Sequence, residues 1–303
     1  MRERLNALNN QLNAGVLGAE HASYMLLVGL LAGGHVLLEG PPGIGKTSLA
    51  QRLARSIDGS FRRIQFTPDL LPSDLVGYSM LNQDSRDFEF VRGPVFSNIV
   101  LADEINRTSP RIQSALLECM NEQQVTVDGK TWKLASPFMV IATQNNAYAT
   151  GTYPLPEPQL DRFLLAVDMS LPDANTQSQI LRLHASGAAD ADIHPVIGTA
   201  EVVELQTIAR SLPVNDAVCN YIVDLCGNTG NAPGIKNKLS ARASIALMRA
   251  AQASAFLQGH PAVYPDDVKN VAPQVLGHRL RMSGRAGASE GLVEKVLEST
   301  RVP

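Results

Sequence analysis

The sequence is poor in cysteine and has no apolar run long enough to cross a membrane. Its 303 residues include three cysteines, and no two of them form a CxxC pair. So few thiols exclude a disulfide framework and indicate reduced cysteines in the cytoplasm. The most apolar stretch, from Tyr24 to Ala32, is shorter than the roughly 20 residues that a membrane-spanning helix needs, and it does not resemble a signal peptide. We therefore expect a cytoplasmic protein with no direct membrane insertion.

An excess of positive charge is also missing. The 26 lysines and arginines are outnumbered by 29 acidic residues, which gives a formal net charge of −3. Proteins dedicated to nucleic acids are usually basic, so this balance disfavours a nucleic-acid-dependent motor, although a local basic stripe inside a ring is compatible with it. The six histidines show no metal-ligand spacing, and no structural metal site is expected. The hydrophobic fraction of 45% is that of an ordinary globular protein, long enough for two domains.

The chain divides near residue 171 by the kinds of element that its pattern predicts. Before that point, strands are predicted at residues 35–39, 61–66, 99–102, 138–142 and 164–167, and helices at 3–32 (broken near Gly15 and Gly18), 46–57 and 109–121. Strands that alternate with helices favour a mostly parallel, doubly wound α/β sheet. Beyond that point only helices are predicted, at 173–185, 200–211, 215–227, 240–257, 265–275 and 289–298, with a mobile loop at 228–238.

A glycine-rich loop lies between the first predicted strand and the helix that follows. It consists of Gly40, Pro41, Pro42, Gly43, Ile44, Gly45, Lys46 and Thr47, which match G-x-x-x-x-G-K-[ST], and Ser48 comes next. The glycines let successive backbone N–H groups turn towards phosphate oxygens, and the helix N-terminus adds positive potential. Lys46 is expected to contact the β- and γ-phosphates of ATP, and Thr47 to ligate Mg²⁺. The loop therefore predicts a P-loop nucleotide site.

Polar residues follow two other predicted strands. Asp103 and Glu104 end the strand at 99–102, where Asp103 can hold Mg²⁺ and Glu104 can align the attacking water. Alone, two such acids indicate a solvated turn, but together with the P-loop they predict hydrolysis rather than nucleotide storage. Asn145 follows the strand at 138–142, near the expected γ-phosphate, although asparagine at a strand end is more often a turn residue.

These residues resemble the MoxR branch of the AAA+ ATPases, and the resemblance extends from about Val16 to Leu280. Its most specific stretches are residues 102–108, 113–118 with Met120, 151–157 and 159–163. The resemblance implies that Asn145 senses the γ-phosphate and that Arg162 is an arginine finger reaching a neighbouring subunit's nucleotide. It further implies that Arg242 is a second sensor on a helical lid, that Arg107 is an interface residue, and that Val16, Leu17 and Gly18 lie against the adenine.

The same resemblance implies the broader function. It suggests an ATPase that assembles as a homo-oligomeric, hexameric ring and acts like a chaperone in maturing or remodelling a client protein or complex. It also suggests a partner with a von Willebrand factor A domain. The alternatives are the nucleic-acid-dependent motor and a nucleotide-gated scaffold without enzymatic activity.

Two stretches have the alternating pattern of hairpins. Residues 125–134 alternate about Asp128 and Gly129, a strong two-residue turn, and residues 87–94 alternate after a predicted loop at 68–77. In the family such insertions project towards the face or pore of the ring, which favours contact with a partner. The alternative is a pair of exposed structural hairpins, and we assign Trp132 to packing.

The predicted organisation is an AAA+ P-loop domain followed by a smaller lid. The α/β nucleotide-binding domain with its two hairpin insertions is expected over residues 1–170. A linking helix and loop follow at 171–199, and an all-helical lid domain at 200–303.

Overall fold

The computed structural model describes residues 2–145, 151–185, 193–235, 237–280 and 290–303. Its helices are α1 (Arg2–Asn13), α2 (Glu20–Ala32), α3 (Lys46–Ser56), α4 (Pro72–Val76), α5 (Pro110–Glu122), α6 (Glu157–Leu160), α7 (Ala174–Ala185), α8 (Thr199–Ser211), α9 (Asp216–Gly230), α10 (Ala241–Gln258), α11 (Pro265–Leu276) and α12 (Glu290–Ser299). Its strands are β1 (Val36–Glu39), β2 (Ile57–Asp58), β3 (Phe61–Gln65), β4 (Gly77–Leu81), β5 (Phe88–Arg92), β6 (Ile99–Asp103), β7 (Gln124–Val127), β8 (Lys130–Lys133), β9 (Met139–Gln144), β10 (Leu165–Asp168) and β11 (Ile197–Gly198).

The central sheet has five parallel strands in the order β10-β1-β9-β6-β3. These are the strands that the hydrophobic pattern predicts, and the α/β prediction is confirmed. Because all five run in the same direction, their carboxyl ends meet at one edge. Glu39, Gln144 and Asp103, the last residues of β1, β9 and β6, therefore lie side by side.

Alternate residues of each strand enter different hydrophobic clusters. Leu38 and Leu101 belong to the cluster formed with α1, α2, α3 and the C-terminal helices, whereas Leu37 and Val100 belong to the cluster formed with α4 and α5. Both faces of the sheet are covered, as near-continuous apolar strands require.

The C-terminal helices pack directly against the N-terminal part of the chain. Helix α2 is buried along almost its whole length, since α8 and α10 cover it on one side and β10 contacts it on another. That double cover explains why the stretch from Tyr24 to Ala32 is apolar all round rather than on one face. In the described ranges, no helix is both long and apolar enough to span a bilayer.

The structure corrects three predictions. The segment predicted as a loop at 68–77 contains α4, which starts at Pro72, with the carboxylate of Asp74 accepting from the N–H of Leu71 at 2.8 Å. The predicted loop at 228–238 begins inside α9. A strand also occurs beyond residue 171, because β11 pairs with β2. Two-residue strands are too short to leave a periodic signal.

Candidate functional site

The loop after β1 follows a path that its glycines permit. Gly40, Gly43 and Gly45 have φ angles of 136°, 83° and 95°, which L-residues rarely adopt. A Cβ at Gly40 would also lie 2.2 Å from the carbonyl oxygen of Met169. Helix α3 starts directly after Gly45 at Lys46. The loop amides and a helix N-terminus therefore meet, as an anion site requires.

The Lys46 side chain is buried beside this loop and joins it to the tip of β9. Its Nζ donates to the carbonyl oxygens of Gly40 and, at 3.1 Å, of Pro41. It also donates to the carbonyl oxygen of Gln144 at 3.2 Å and to Oδ1 of Asn145 at 3.1 Å. Burial lowers the pKa of Lys46, and the acidic side chains around it act in the opposite direction.

Thr47 and Asp103 bring oxygen ligands together at the end of β6. The Thr47 hydroxyl lies 3.2 and 3.1 Å from the two carboxylate oxygens of Asp103, and Thr143 donates to Oδ1 at 2.6 Å. Mg²⁺ typically takes one or two protein oxygens and completes its shell with phosphates and water. The donor set therefore fits Mg²⁺ bound together with nucleotide phosphates.

Glu104 has an unusual backbone and a side chain held from several directions. Its φ of 57° and ψ of 49° are left-handed, and its N–H donates to the Thr143 hydroxyl at 2.9 Å. Oε1 accepts from Nδ2 of Asn145 at 2.8 Å, and Oε2 accepts from Nε2 of Gln65 at 3.0 Å. Nε of Arg107 lies 3.3 Å from Oε2. A non-glycine residue held in this region is typical of functional sites.

A cleft of about 670 Å³ opens beside these groups. Its polar wall is formed by residues 42–48 with Asp103, Glu104 and Asn145, and the segment 15–17 forms another wall. Gly18 lies just outside the lining, and a Cβ added there would meet Thr176 of α7 at 3.2 Å. The predicted Leu17 contact with the cleft is therefore present, whereas Gly18 packs against α7.

Helix α7 was predicted as a linker but also lines the cleft, through Gln177, Ile180 and Leu181. The side chain of Leu181 is 71% exposed. Together with Val16 and Leu17, the apolar side chains of Ile180 and Leu181 can enclose a flat ring system in the cleft.

The two arginines predicted to act on nucleotide do not line this cleft. Arg162 lies just after α6 and is partly exposed. Arg242, at the start of α10, places its guanidinium 3.6 Å from the Asp161 carboxylate. Asp161 also binds Nε of Arg279 at 2.8 Å. Since Asp161 immediately precedes Arg162, both predicted arginines lie near one segment outside the chain's own cleft.

Two further polar residues of the site, Arg63 and Gln65, were not predicted. Nε and one terminal nitrogen of Arg63 donate to Oδ2 of Asp103 at 3.0 and 2.7 Å, and that nitrogen also donates to Oε1 of Gln65 at 3.0 Å. Both residues alternate with the buried Ile64, and Gln65 lies opposite Asp103 in the register of β3 and β6. The alternation is visible in the sequence, but the pairing of these two strands is not.

The two predicted hairpins are present and touch each other. Strands β4 and β5 form the first hairpin, and β7 and β8 form the second about Asp128 and Gly129. Phe90 of the first stacks on Trp132 of the second at a centroid distance of 4.9 Å and an interplanar angle of 18°. Phe88 on the first hairpin is 73% exposed. The assignment of Trp132 to packing is confirmed.

Comparison with known families and proteins adds two domain matches and several full-length relatives. Residues 35–165 match the ATPase family associated with various cellular activities (AAA), and residues 228–299 match the AAA lid domain. The uncharacterized protein YeaC of Bacillus subtilis is 45% identical over 296 residues, covering 96% of this chain and 92% of YeaC. Chaperone MoxR1 of Mycobacterium tuberculosis is 38% identical over 301 residues, covering 95% of this chain and 79% of MoxR1.

A solved structure has the same fold over the whole chain. The crystal structure of a protein from Cytophaga hutchinsonii aligns with a TM-score of 0.89 at 37% identity. The alignment covers 100% of this chain and 96% of that one.

Proposed function

This chain belongs to the MoxR family of AAA+ ATPases, and from that premise we propose that it hydrolyses ATP and uses the reaction to remodel a partner protein. One observation carries the proposal. Five residues from three separate segments of the sequence line one cleft: Lys46 and Thr47, Asp103 and Glu104, and Asn145. Each has the chemistry that one part of phosphoanhydride hydrolysis needs.

Phosphate binding uses the loop and the lysine. The N–H groups of Gly43, Ile44, Gly45 and the first turn of α3 donate to phosphate oxygens, at the positive end of the helix. Lys46 exchanges its carbonyl partners for oxygens of the β- and γ-phosphates. Thr47 and Asp103 would hold Mg²⁺, which would supply positive charge to the same phosphates.

Water activation uses Glu104 and Asn145. The Glu104 carboxylate lines the cleft together with Thr47 and Asp103, the two residues assigned to Mg²⁺. It can accept a proton from water aligned with the γ-phosphorus. Asn145 contacts both Lys46 and Glu104. These contacts support our assignment of Asn145 as the residue that reports the presence of the γ-phosphate to the carboxylate.

We assign base binding to the apolar residues of the cleft. Val16 and Leu17 line the cleft together with Ile180 and Leu181 of α7. Adenine can stack between aliphatic side chains of this kind. Because α7 follows directly after the α/β domain, closure on the base can move the helical lid.

The remaining arginine assignments require a second subunit. Arg162 lies outside the cleft of its own chain, so we assign it to the nucleotide of a neighbour in a ring, which we take to be a hexamer. Arg242 lies beside Asp161, and we place it at the same subunit boundary rather than at the nucleotide of its own chain.

The hairpins are the surface that we assign to the partner. The first hairpin exposes apolar side chains, among them Tyr78, Met80 and Phe88. An apolar surface of this kind favours a protein over a nucleic acid, and a von Willebrand factor A domain is the partner that we propose. DNA-stimulated ATPase activity at moderate salt would favour the nucleic-acid motor instead.

The test is a comparison of nucleotide binding with turnover. We expect Lys46→Ala to lose ATP binding, and Glu104→Gln to bind ATP but hydrolyse it about 10²-fold more slowly or worse. The exposed Glu298 on α12, changed to Gln, serves as the matched control. Normal turnover in Glu104→Gln contradicts the assigned base, and wild-type protein with no measurable turnover favours the non-enzymatic scaffold.

A second experiment addresses the partner. Glu104→Gln, loaded with ATP, is used to capture binding proteins from the native host, and Lys46→Ala serves as the nucleotide-free control. Capture of a protein with a von Willebrand factor A domain by Glu104→Gln alone supports the proposal. Equal capture by both variants contradicts nucleotide-gated remodelling.

A further inference from the structure

An arginine already binds the carboxylate that is assigned to Mg²⁺. Arg63 of β3 directs two N–H groups at Oδ2 of Asp103, at 3.0 and 2.7 Å. The Asp103 side chain is 7% exposed, whereas that of Arg63 is 46% exposed and lines the cleft. The acid is therefore fixed in the protein, and the arginine is the partner with room to move.

The contacts of Asp103 make metal and arginine competitors. Oδ1 accepts from the hydroxyls of Thr143 and Thr47, and Oδ2 accepts from Thr47 and from both Arg63 donors. A metal ion that takes Oδ2 comes within a few ångströms of the guanidinium, where like charges repel strongly. A hydroxyl can turn aside to leave a lone pair free, but a cation must leave the oxygen.

We propose that Arg63 is a positioning residue that holds Asp103 until Mg²⁺ and nucleotide bind, and that it is displaced from the carboxylate by the metal. Metal binding is then coupled to movement of the guanidinium towards the open cleft. This inference rests on the proposed function, since it requires that the cleft bind a Mg²⁺–nucleotide complex.

A second contact of Arg63 extends the effect to the other acid. One Arg63 nitrogen donates to Oε1 of Gln65, and Nε2 of Gln65 donates to Oε2 of Glu104. Arg63 therefore fixes the Gln65 amide with its nitrogen towards Glu104. Displacement of Arg63 removes that restraint, so that Glu104 becomes free to turn towards water when the metal arrives.

The test measures how strongly Mg²⁺ and nucleotide support each other's binding. The dissociation constant of a fluorescent, non-hydrolysable ATP analogue is measured in excess EDTA and in saturating Mg²⁺. The constant in EDTA divided by the constant in Mg²⁺ is the coupling ratio. We expect Arg63→Gln to raise this ratio by about fivefold or more, because the metal no longer has to displace a cation. Arg63→Lys, which keeps the charge but not the two-donor fork, lies between Arg63→Gln and wild type.

The neighbouring arginine provides the control. Arg62 has the opposite orientation on the same strand and does not line the cleft, so Arg62→Gln removes the same charge and keeps the wild-type ratio. Thermal melting shows which Arg63 variants are folded. If Arg63→Gln is not folded, the coupling ratio of Arg63→Lys is the one compared with wild type.

An unchanged ratio in the folded Arg63 variants overturns the proposal. A lower ratio also overturns it, because Arg63 then acts together with the metal rather than in its place. Wild-type protein that binds the analogue in neither condition contradicts the proposed function itself, a result distinct from either of these.

Discussion

Asn145 donates from Nδ2 to Oε1 of Glu104 at 2.8 Å. Its Oδ1 accepts from Lys46, so the two ends of the amide are assigned by their partners: oxygen to the ammonium, nitrogen to the carboxylate. The two residues follow β9 and β6, neighbouring strands of the sheet. One side chain thus joins the cation that we propose binds phosphate to the carboxylate that we propose aligns water.

We expect Asn145→Ala to separate binding from hydrolysis. The loop amides and Lys46 persist, so ATP affinity should change little, whereas the loss of a group that positions Glu104 should lower kcat by about 10²-fold. Steady-state ATPase rates and nucleotide titrations measure the two effects. Asn82→Ala is the matched control, because Nδ2 of Asn82 also donates to a glutamate, Glu89, at 2.8 Å but in the first hairpin. A wild-type kcat in Asn145→Ala contradicts the assignment.

His35 makes the stability of the fold dependent on pH. Its Nε2 bonds to the carbonyl oxygen of Met120 at 3.1 Å, and its Nδ1 accepts from the N–H of Val140 at 3.0 Å. This pattern needs the neutral imidazole, since a protonated Nδ1 would face another donor. Burial accordingly lowers the pKa of His35 from 6.5 to about 4.

The sign of the effect follows from these two pKa values. Between pH 6.5 and 4 the unfolded chain binds a proton at His35 that the folded chain does not, so stability falls as the pH falls. We expect a loss of about 2 kcal/mol from this residue between pH 7.5 and 5. Urea unfolding at the two pH values measures it.

Variants separate His35 from the other titrating groups. His35→Gln offers the same donor and acceptor without a titrating ring, and it should be less stable at pH 7.5 yet lose less stability on acidification. The exposed His194, changed to Gln, should leave the pH dependence unchanged. Equal slopes in wild type and His35→Gln would show that this histidine is not the source.

Trp132 allows the contact between the hairpins to be observed directly. It is the sole tryptophan of the chain, and its ring stacks on Phe90. We expect Phe90→Ala to move the tryptophan emission to longer wavelength, because the indole face gains water. Phe88→Ala, on the same hairpin but 73% exposed, should leave the emission in place. Identical spectra for wild type and Phe90→Ala would contradict a persistent stack between the hairpins.

The sequence was sufficient for the strands of the sheet because they are long, apolar and bounded by recognisable turns. It placed Lys46, Asp103 and Glu104 in one cleft because parallel strands end at a common edge. The hairpin at Asp128 and Gly129 followed from turn chemistry, since both residues adopt positive φ, 51° and 76°.

The parts that were not predicted depend on contacts between distant segments. Arg63 acts on Asp103 only because β3 pairs with β6, and strand order cannot be derived from the pattern of a single strand. Leu181 lines the cleft because the start of α7 lies close to Gly18, next to residues 15–17. Helix α4 has five residues, too few for a helical period to show in the sequence.

Arg162 should act on the nucleotide of a neighbouring subunit, and mixing two inactive variants tests this. Arg162→Ala alone should slow hydrolysis by about 10³-fold or more if it is an arginine finger, whereas the exposed Arg249 of α10, changed to Ala, should not. Lys46→Ala alone should also be inactive. In mixed rings, an Arg162→Ala subunit contributes an intact cleft and its Lys46→Ala neighbour an intact arginine, so some interfaces regain a complete site. Activity should therefore rise with mixing and pass through a maximum as the ratio of the two variants is varied. A mixture as inactive as its components at every ratio would place Arg162 in a structural role within its own chain, because only action across an interface can be restored by a partner that is itself inactive.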